Sequence, residues 1–123
     1  MTTKRILLVD DSKTALMMEQ MLLEDEPYEL SIAMDGEEAV EKALASLPDL
    51  ILMDVVMPKM TGFEAVERLR QEESTKQIPI IMVTTRGEAE NVEKGYATGC
   101  TDYVTKPIDG VELLTKIRTY LGD

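Results

Sequence analysis

Chemistry-bearing side chains stand at or just past the ends of four short apolar runs. Asp10-Asp11 follow Ile6-Leu7-Leu8-Val9, and Asp54 follows Leu50-Ile51-Leu52-Met53. Thr84-Thr85 follow Ile80-Ile81-Met82-Val83, and Tyr103-Val104 leads into Lys106-Pro107. A lone carboxylate in such a place usually caps the next helix, and Asp10 or Asp11 by itself reads that way. Asp54 does not, because Val55-Val56-Met57-Pro58 after it is an extended loop rather than a helix start. Carboxylates gathered in one cleft repel one another unless a cation lies between them. The hard, part-hydrated ion that suits a few carboxylates together with a phosphate is Mg²⁺. Lys106 has a plain reading as a solvated loop lysine. Pro107 holds it extended, however, so its ammonium can also reach back to an anion at the strand ends.

The elements that must position these groups alternate along the chain. The four runs and Leu30-Ser31-Ile32-Ala33 are strand-length, and three of the five are apolar throughout, as parallel strands covered on both faces require. Helical patterns lie between them. Ser12 caps a helix to Leu23 with Ala15, Leu16, Met18 and Leu22 as its inward stripe, and Met17, Met18 and Met21 read as core filler. Ala39/Val40, Ala43/Leu44 and Leu47 recur at helical spacing before Pro48. Thr61 and Glu64 form a capping-box signature ahead of Phe63, Val66 and Leu69/Arg70. Residues 88–97 give a thinner apolar face from Val92, Tyr96 and Ala97, with Gly95 and Gly99 near its end. Asp109 caps a last helix with Leu113/Leu114, Ile117 and Tyr120/Leu121 inward. Five such βα units predict a three-layer α/β domain with an open, doubly wound parallel five-stranded sheet. Sheets of that kind bind ligands beyond the carboxyl ends of their strands, where the four chemical groups stand.

Composition narrows the chemistry. The chain has 123 residues, enough for one domain (1–123) and one core. It contains no histidine, which removes Ser-His triads, histidine acid–base catalysis and His-ligated zinc together. A formal charge of −11 argues against direct nucleic-acid binding and suits a hard cation or a basic partner, although solubility alone explains much of it. No apolar run approaches the roughly 18–20 residues of a membrane span, and there is no signal-peptide pattern. The single cysteine, Cys100, reads as a small packing residue, and nothing calls for an oxidising compartment. A cytoplasmic setting is expected.

Leu-Val-Asp10-Asp11-Ser, Leu-Ile-Leu-Met-Asp54-Val-Val-Met-Pro58-Lys-Met-Thr-Gly62, Thr84-Thr85 and Asp-Tyr103-Val-Thr-Lys106-Pro107 together resemble the signature set of response-regulator receiver domains. The resemblance covers essentially the whole chain, and four motifs in the right order make it specific. It implies a flavodoxin-like (βα)₅ fold with strand order 2-1-3-4-5. By the same resemblance Asp54 would be the phosphoacceptor. Asp11, Asp54 and the backbone carbonyl of Val56 would ligate Mg²⁺ directly, with Asp10 acting through metal-bound water. Thr84 and Lys106 would bind phosphoryl oxygens, and Thr84 with Tyr103 would form the switch. Gly62 would allow the turn into the third helix. Phosphoryl transfer needs positioning and charge compensation, and a metal, a lysine and a hydroxyl supply both.

Val56 and Arg86 occupy positions that in this family tune the lifetime of the aspartyl phosphate. An apolar Val56 cannot orient an attacking water, and Arg86 would either cover the phosphate or pair with Glu88 or Glu90 at the surface. The implied partners are a sensor histidine kinase or phosphotransfer protein and a downstream protein target. That target would dock on the face made by the helix of residues 88–97, the strand of Tyr103 and the last helix. The expected state is a monomer, with phosphorylation able to promote a dimer. An enzyme turning over an external phosphoester would need a second acid where Val56 stands. A phosphorylation-independent module would lack an acid or the lysine, and none is missing. A flavodoxin-type cofactor binder would need a glycine- and hydroxyl-rich loop after the first strand. A receiver piece of a longer regulator with an output domain stays open.

Overall fold

The computed structural model describes residues 3–85 and 89–122, with Thr85 and residues 89–92 described by backbone alone. Strands β1 (Lys4–Val9), β2 (Tyr28–Ala33), β3 (Leu50–Asp54), β4 (Ile80–Thr85) and β5 (Asp102–Lys106) alternate with helices α1 (Lys13–Leu23), α2 (Gly36–Ser46), α3 (Gly62–Gln71), α4 (Ala89–Thr98) and α5 (Gly110–Leu121). All pairings are parallel, and the sheet runs β2-β1-β3-β4-β5, the order expected from the sequence.

Successive strand residues point to opposite faces, so the apolar strands build two separate cores. Leu7, Val9, Ile51, Met53, Ile80 and Met82 pack with Ala39, Val40, Phe63, Val66 and Leu69, which places α2 and α3 on one side. Ile6, Leu8, Leu50, Leu52, Ile81, Val83 and Val104 pack with Leu16, Leu23, Leu113 and Ile117, which places α1 and α5 on the other. Strand β2 lies at the sheet edge and only Ala33 of it is fully buried.

Helix starts follow the sequence signals. Ser12 accepts a hydrogen bond from the Ala15 N–H, Asp35 from Glu38, and Asp109 from Val111 and Glu112. Thr61 and Glu64 complete a reciprocal capping box, which satisfies two otherwise orphaned N–H groups.

Several sequence expectations are corrected. The inward stripe of α1 is Leu16, Glu19 and Leu23, whereas Met18 is 60% and Leu22 36% exposed. Met17 and Met21 face solvent as well, at 62% and 64% exposure, so the methionines are not core filler. The two stripes share Leu16 and differ by a fraction of a turn, and the observed phase puts Leu16 and Leu23 in the core with Ile6 and Leu8 of β1. Leu47 does not extend the α2 stripe; it is the left-handed C-cap, φ 49°, and is 43% exposed. The fourth helix is described over Ala89–Thr98, one residue past the expected end at 97, while its expected start at Glu88, like Arg86, lies outside the described residues.

Candidate functional site

The register of the sheet brings the ends of β1, β3, β4 and β5 to one edge. Asp54 stands opposite Val83, Val9 opposite Met53, and Thr84 opposite Thr105. Asp10 and Asp11 follow β1 directly, so the strand ends hold the carboxylates without any long loop.

Asp10, Asp11 and Asp54 each present a carboxylate oxygen within 4.8 Å of the others. Asp10 is 1% and Asp54 7% exposed, while Asp11 faces solvent. Lys106 reaches back as its sequence position suggests. Its Nζ lies 3.2 Å from Asp54 Oδ1 and 3.3 Å from Asp10 Oδ2. The Lys106–Pro107 peptide is cis, which the sequence reading did not include. Asp10 Oδ1 also accepts from the Ser12 N–H at 2.9 Å, but the cap of α1 is Ser12, so Asp10 belongs to the cluster rather than capping the helix.

Burial, then the negative charge of Asp10, pushes the Asp54 carboxyl up to about 6, against the lowering effect of Lys106 and the Val55 N–H. Burial works against the Lys106 charge, but Asp54 and Asp10 outweigh it and raise its pKa. Among the described residues the site is therefore short of positive charge: one ammonium serves two buried carboxylates. Its donors are all anionic oxygens, the set that suits a hard divalent cation rather than a soft one.

Thr84 is 2% exposed, and its hydroxyl has no hydrogen-bond partner among the described residues. A buried hydroxyl without a partner costs stability, so this one is available to an incoming acceptor. On the other flank, a Cβ at Gly62 would come 2.2 Å from the Asp54 carbonyl oxygen. Only glycine lets α3 begin that close to the strand end. The Gly62 N–H donates to the Val55 carbonyl at 2.9 Å, and the Val56 side chain between them is 72% exposed.

Tyr103 is half-buried, with its ring edge-on to Tyr96 at 6.0 Å and the Lys116 ammonium 5.0 Å from its centroid. Cys100 is buried and unpaired among the described residues, and burial pushes its thiol up to about 11, which leaves it inert as read.

The fold thus gathers Asp10, Asp11, Asp54, Thr84 and Lys106 at one edge, with Tyr103 one strand from Thr84. Two residues escaped the sequence reading. Glu19 is buried beside the site, and Asp102 collects hydrogen bonds from the Tyr103 N–H, Tyr120 and Lys116. The signal for Glu19 was present as its spacing from Leu16 and Leu23, three and four residues away. Asp102 carried no such mark.

Comparisons agree with this geometry. The family model described as response regulator receiver domain matches residues 6–118. Protein PilH of Pseudomonas aeruginosa is 38% identical over 118 residues, covering 96% of this chain and 98% of that protein. A crystal structure of a putative response regulator from Chloroflexus aurantiacus superposes with a TM-score of 0.95 at 33% identity, covering 99% of this chain and 100% of that one. The receiver domain of the sensor histidine kinase PA1611 from Pseudomonas aeruginosa, solved with a magnesium ion coordinated in its active-site cleft, gives 0.91 at 29% identity over 99% and 100% of the two chains. The chain spans a quarter of the length of some curated relatives it matches and about half of others. No helix among the described residues is long and apolar enough to cross a membrane. With the fold, the acidic cluster and these matches in agreement, the chain belongs to the response regulator receiver domain family of two-component signalling.

Proposed function

We propose that the chain is a phosphorylation-activated switch in which Asp54 accepts a phosphoryl group from a phosphohistidine of a partner kinase or phosphotransfer protein. One observation carries the reading: a buried carboxylate, Asp54, shares an ammonium with Asp10 inside a three-carboxylate cluster, with an unengaged hydroxyl on the neighbouring strand. A receiver fold bearing this cluster fits self-catalysed phosphotransfer rather than turnover of an external substrate.

Mg²⁺ would be held by Asp11, Asp54 and the Val56 carbonyl, with Asp10 in support, and when bound it neutralises the cluster and the incoming phosphoryl charge. The chain's own residues do the rest. Asp54 supplies the attacking oxygen, and the new bond forms between that oxygen and phosphorus as the phosphorus–nitrogen bond to the donor imidazole breaks. Lys106 compensates charge on the equatorial oxygens, and Thr84 donates its free hydroxyl to one of them. Thr84 drawn inward leaves room for Tyr103, so the face made by α4, β5 and α5 changes packing and controls a downstream protein. The exposed Val56 side chain cannot orient water, which favours a lasting phosphoform; Arg86, the other position of that kind, stands outside the described residues.

Incubation with phosphoramidate and Mg²⁺, followed by intact-mass spectrometry, tests the reading. One phosphate per chain, dependent on Mg²⁺, is expected. An unlabelled protein, or continuous release of phosphate without a bound intermediate, would overturn it.

A further inference from the structure

Helix α1 turns three residues to the sheet: Leu16, Glu19 and Leu23. The middle one is a carboxyl that is 2% exposed, with Oε1 buried and without a hydrogen-bond partner among the described residues. An apolar side chain would fill that place at less cost, because a buried polar atom without a partner is destabilising. Stability alone therefore gives no reason for a glutamate. Its surroundings do. Burial first, then the charges of Asp10 and Asp54, push the carboxyl up to about 8, and the cation that counters them is Lys106. Glu19 and Lys106 also line the same groove between α1 and the β5–α5 connection, with Met18, Leu22, Pro107 and Ile108.

Lys106 has a competing claim on it. Its ammonium now sits between Asp10 and Asp54, 3.3 and 3.2 Å away. A divalent cation, which Asp11 and Asp54 would hold with Asp10 in support, would weaken the ammonium's hold on Asp54. A further acceptor would then keep Lys106 close enough to reach an oxygen carried by Asp54. We propose that Glu19 is a positioning residue for Lys106, a rear acceptor that holds the ammonium at the strand ends once a metal occupies Asp11 and Asp54. This rests on the phosphoacceptor reading of the site given above. Glu19 touches neither the metal nor the phosphoryl group and acts through Lys106. A lysine ammonium has three donors, so one can serve Glu19 Oε1 while the others stay free for phosphoryl oxygens.

The test compares wild type, Glu19→Leu and Glu19→Gln at saturating Mg²⁺, with phosphoramidate as donor. Glu19→Leu, relieved of a buried carboxyl, should melt at or above the wild-type temperature without metal. It should nevertheless be phosphorylated about ten- to a hundredfold more slowly, the upper end being the cost of a group displaced by about 1 Å. Glu19→Gln keeps a carbonyl acceptor and should recover most of the rate. The ¹⁵Nζ resonance of Lys106 in the Mg²⁺-loaded protein should move in Glu19→Leu and stay near its wild-type position in Glu19→Gln. Glu19→Met replaces the leucine variant if that one lacks a cooperative melt. An apolar variant labelled at the wild-type rate, an unmoved Lys106 resonance, or a glutamine variant no faster than leucine each overturns the proposal. A wild-type protein that takes no phosphoryl group overturns the phosphoacceptor reading instead, so the two failures are distinct.

Discussion

Asp102 and Lys116 lock β5 to the last helix: the Lys116 ammonium lies 3.1 Å from Asp102 Oδ1 and 2.6 Å from the Tyr103 carbonyl oxygen. Tyr120 donates to Asp102 Oδ2 at 2.8 Å, and the Tyr96 hydroxyl approaches Oδ1 at 3.4 Å from α4. One carboxylate thus ties together all three elements of the proposed output face. Asp102→Ala should cost about 1–3 kcal/mol, since it strips charged partners of their acceptor. Burial opposes the Asp102 charge, but the Tyr103 N–H, Tyr120 and Lys116 outweigh it and hold the group below the usual carboxylate range. Its contribution is therefore present above the unfolded-state pKa and is lost as pH falls. Urea melts of both proteins should converge below about pH 4; a gap that stays constant would show that charge plays no part.

Asp54 behaves in the opposite sense. Its carboxyl is raised to about 6, so its proton is held more tightly in the folded chain than in the unfolded one. The contribution favours folding at acid pH and is lost as pH rises through about 6. Asp54→Asn, metal-free, should then match wild type near pH 4 and exceed it by about 2–3 kcal/mol near pH 8. The same variant should take no phosphate from phosphoramidate, because an amide is not a nucleophile. A phosphate adduct at wild-type yield would remove Asp54 from its assigned role.

Mg²⁺ should raise the melting temperature of wild type, because a bound cation relieves repulsion among Asp10, Asp11 and Asp54. At 100 times the dissociation constant the gain is about 2.7 kcal/mol. Asp11→Ala should lose most of this shift while melting normally without metal. An equal shift in both proteins places the ion elsewhere.

The fold and most of the site were legible in the sequence for a local reason: strand-length apolar runs end in the very residues the sheet collects. The phase of α1 was not. Met18 outranks Glu19 on any hydropathy scale, yet the face that meets the sheet is chosen by the whole packing, and a glutamate on an amphipathic helix reads as solvent-facing. Leu47 misled for a similar reason: its spacing continues the α2 stripe, but Pro48 forces the chain to leave the helix there in a left-handed turn. The unengaged Thr84 hydroxyl could not be read at all, since a missing hydrogen bond has no sequence pattern.

Thr84→Val should leave stability at or above wild type, because the buried hydroxyl it removes has no partner among the described residues. Beryllofluoride with Mg²⁺ should still bind through Lys106 and the carboxylates. Amide shift changes should then stay near residues 10–12 and 54–58 in the variant, whereas in wild type they should extend through β5. Equal spread in both would remove Thr84 from the coupling.

Gly62→Ala places a methyl group 2.2 Å from the Asp54 carbonyl oxygen, a contact that backbone must yield to. A loss of about 3 kcal/mol or more is expected, with weaker Mg²⁺-dependent stabilisation as Asp54 is displaced. A variant with wild-type melting would mean that α3 retreats freely from the strand end.

That close approach gives the edge of the sheet an unequal stiffness. On the α3 flank, backbone rests directly on the Asp54 carbonyl, with no side chain between to absorb a displacement. On the β4 flank, the buried Thr84 hydroxyl has no partner among the described residues. A load placed on Asp54 meets a wall on one side and slack on the other. In the proposed switch, the direction of yielding would therefore be set by the backbone before any partner arrives: toward β4 and β5, and away from α3.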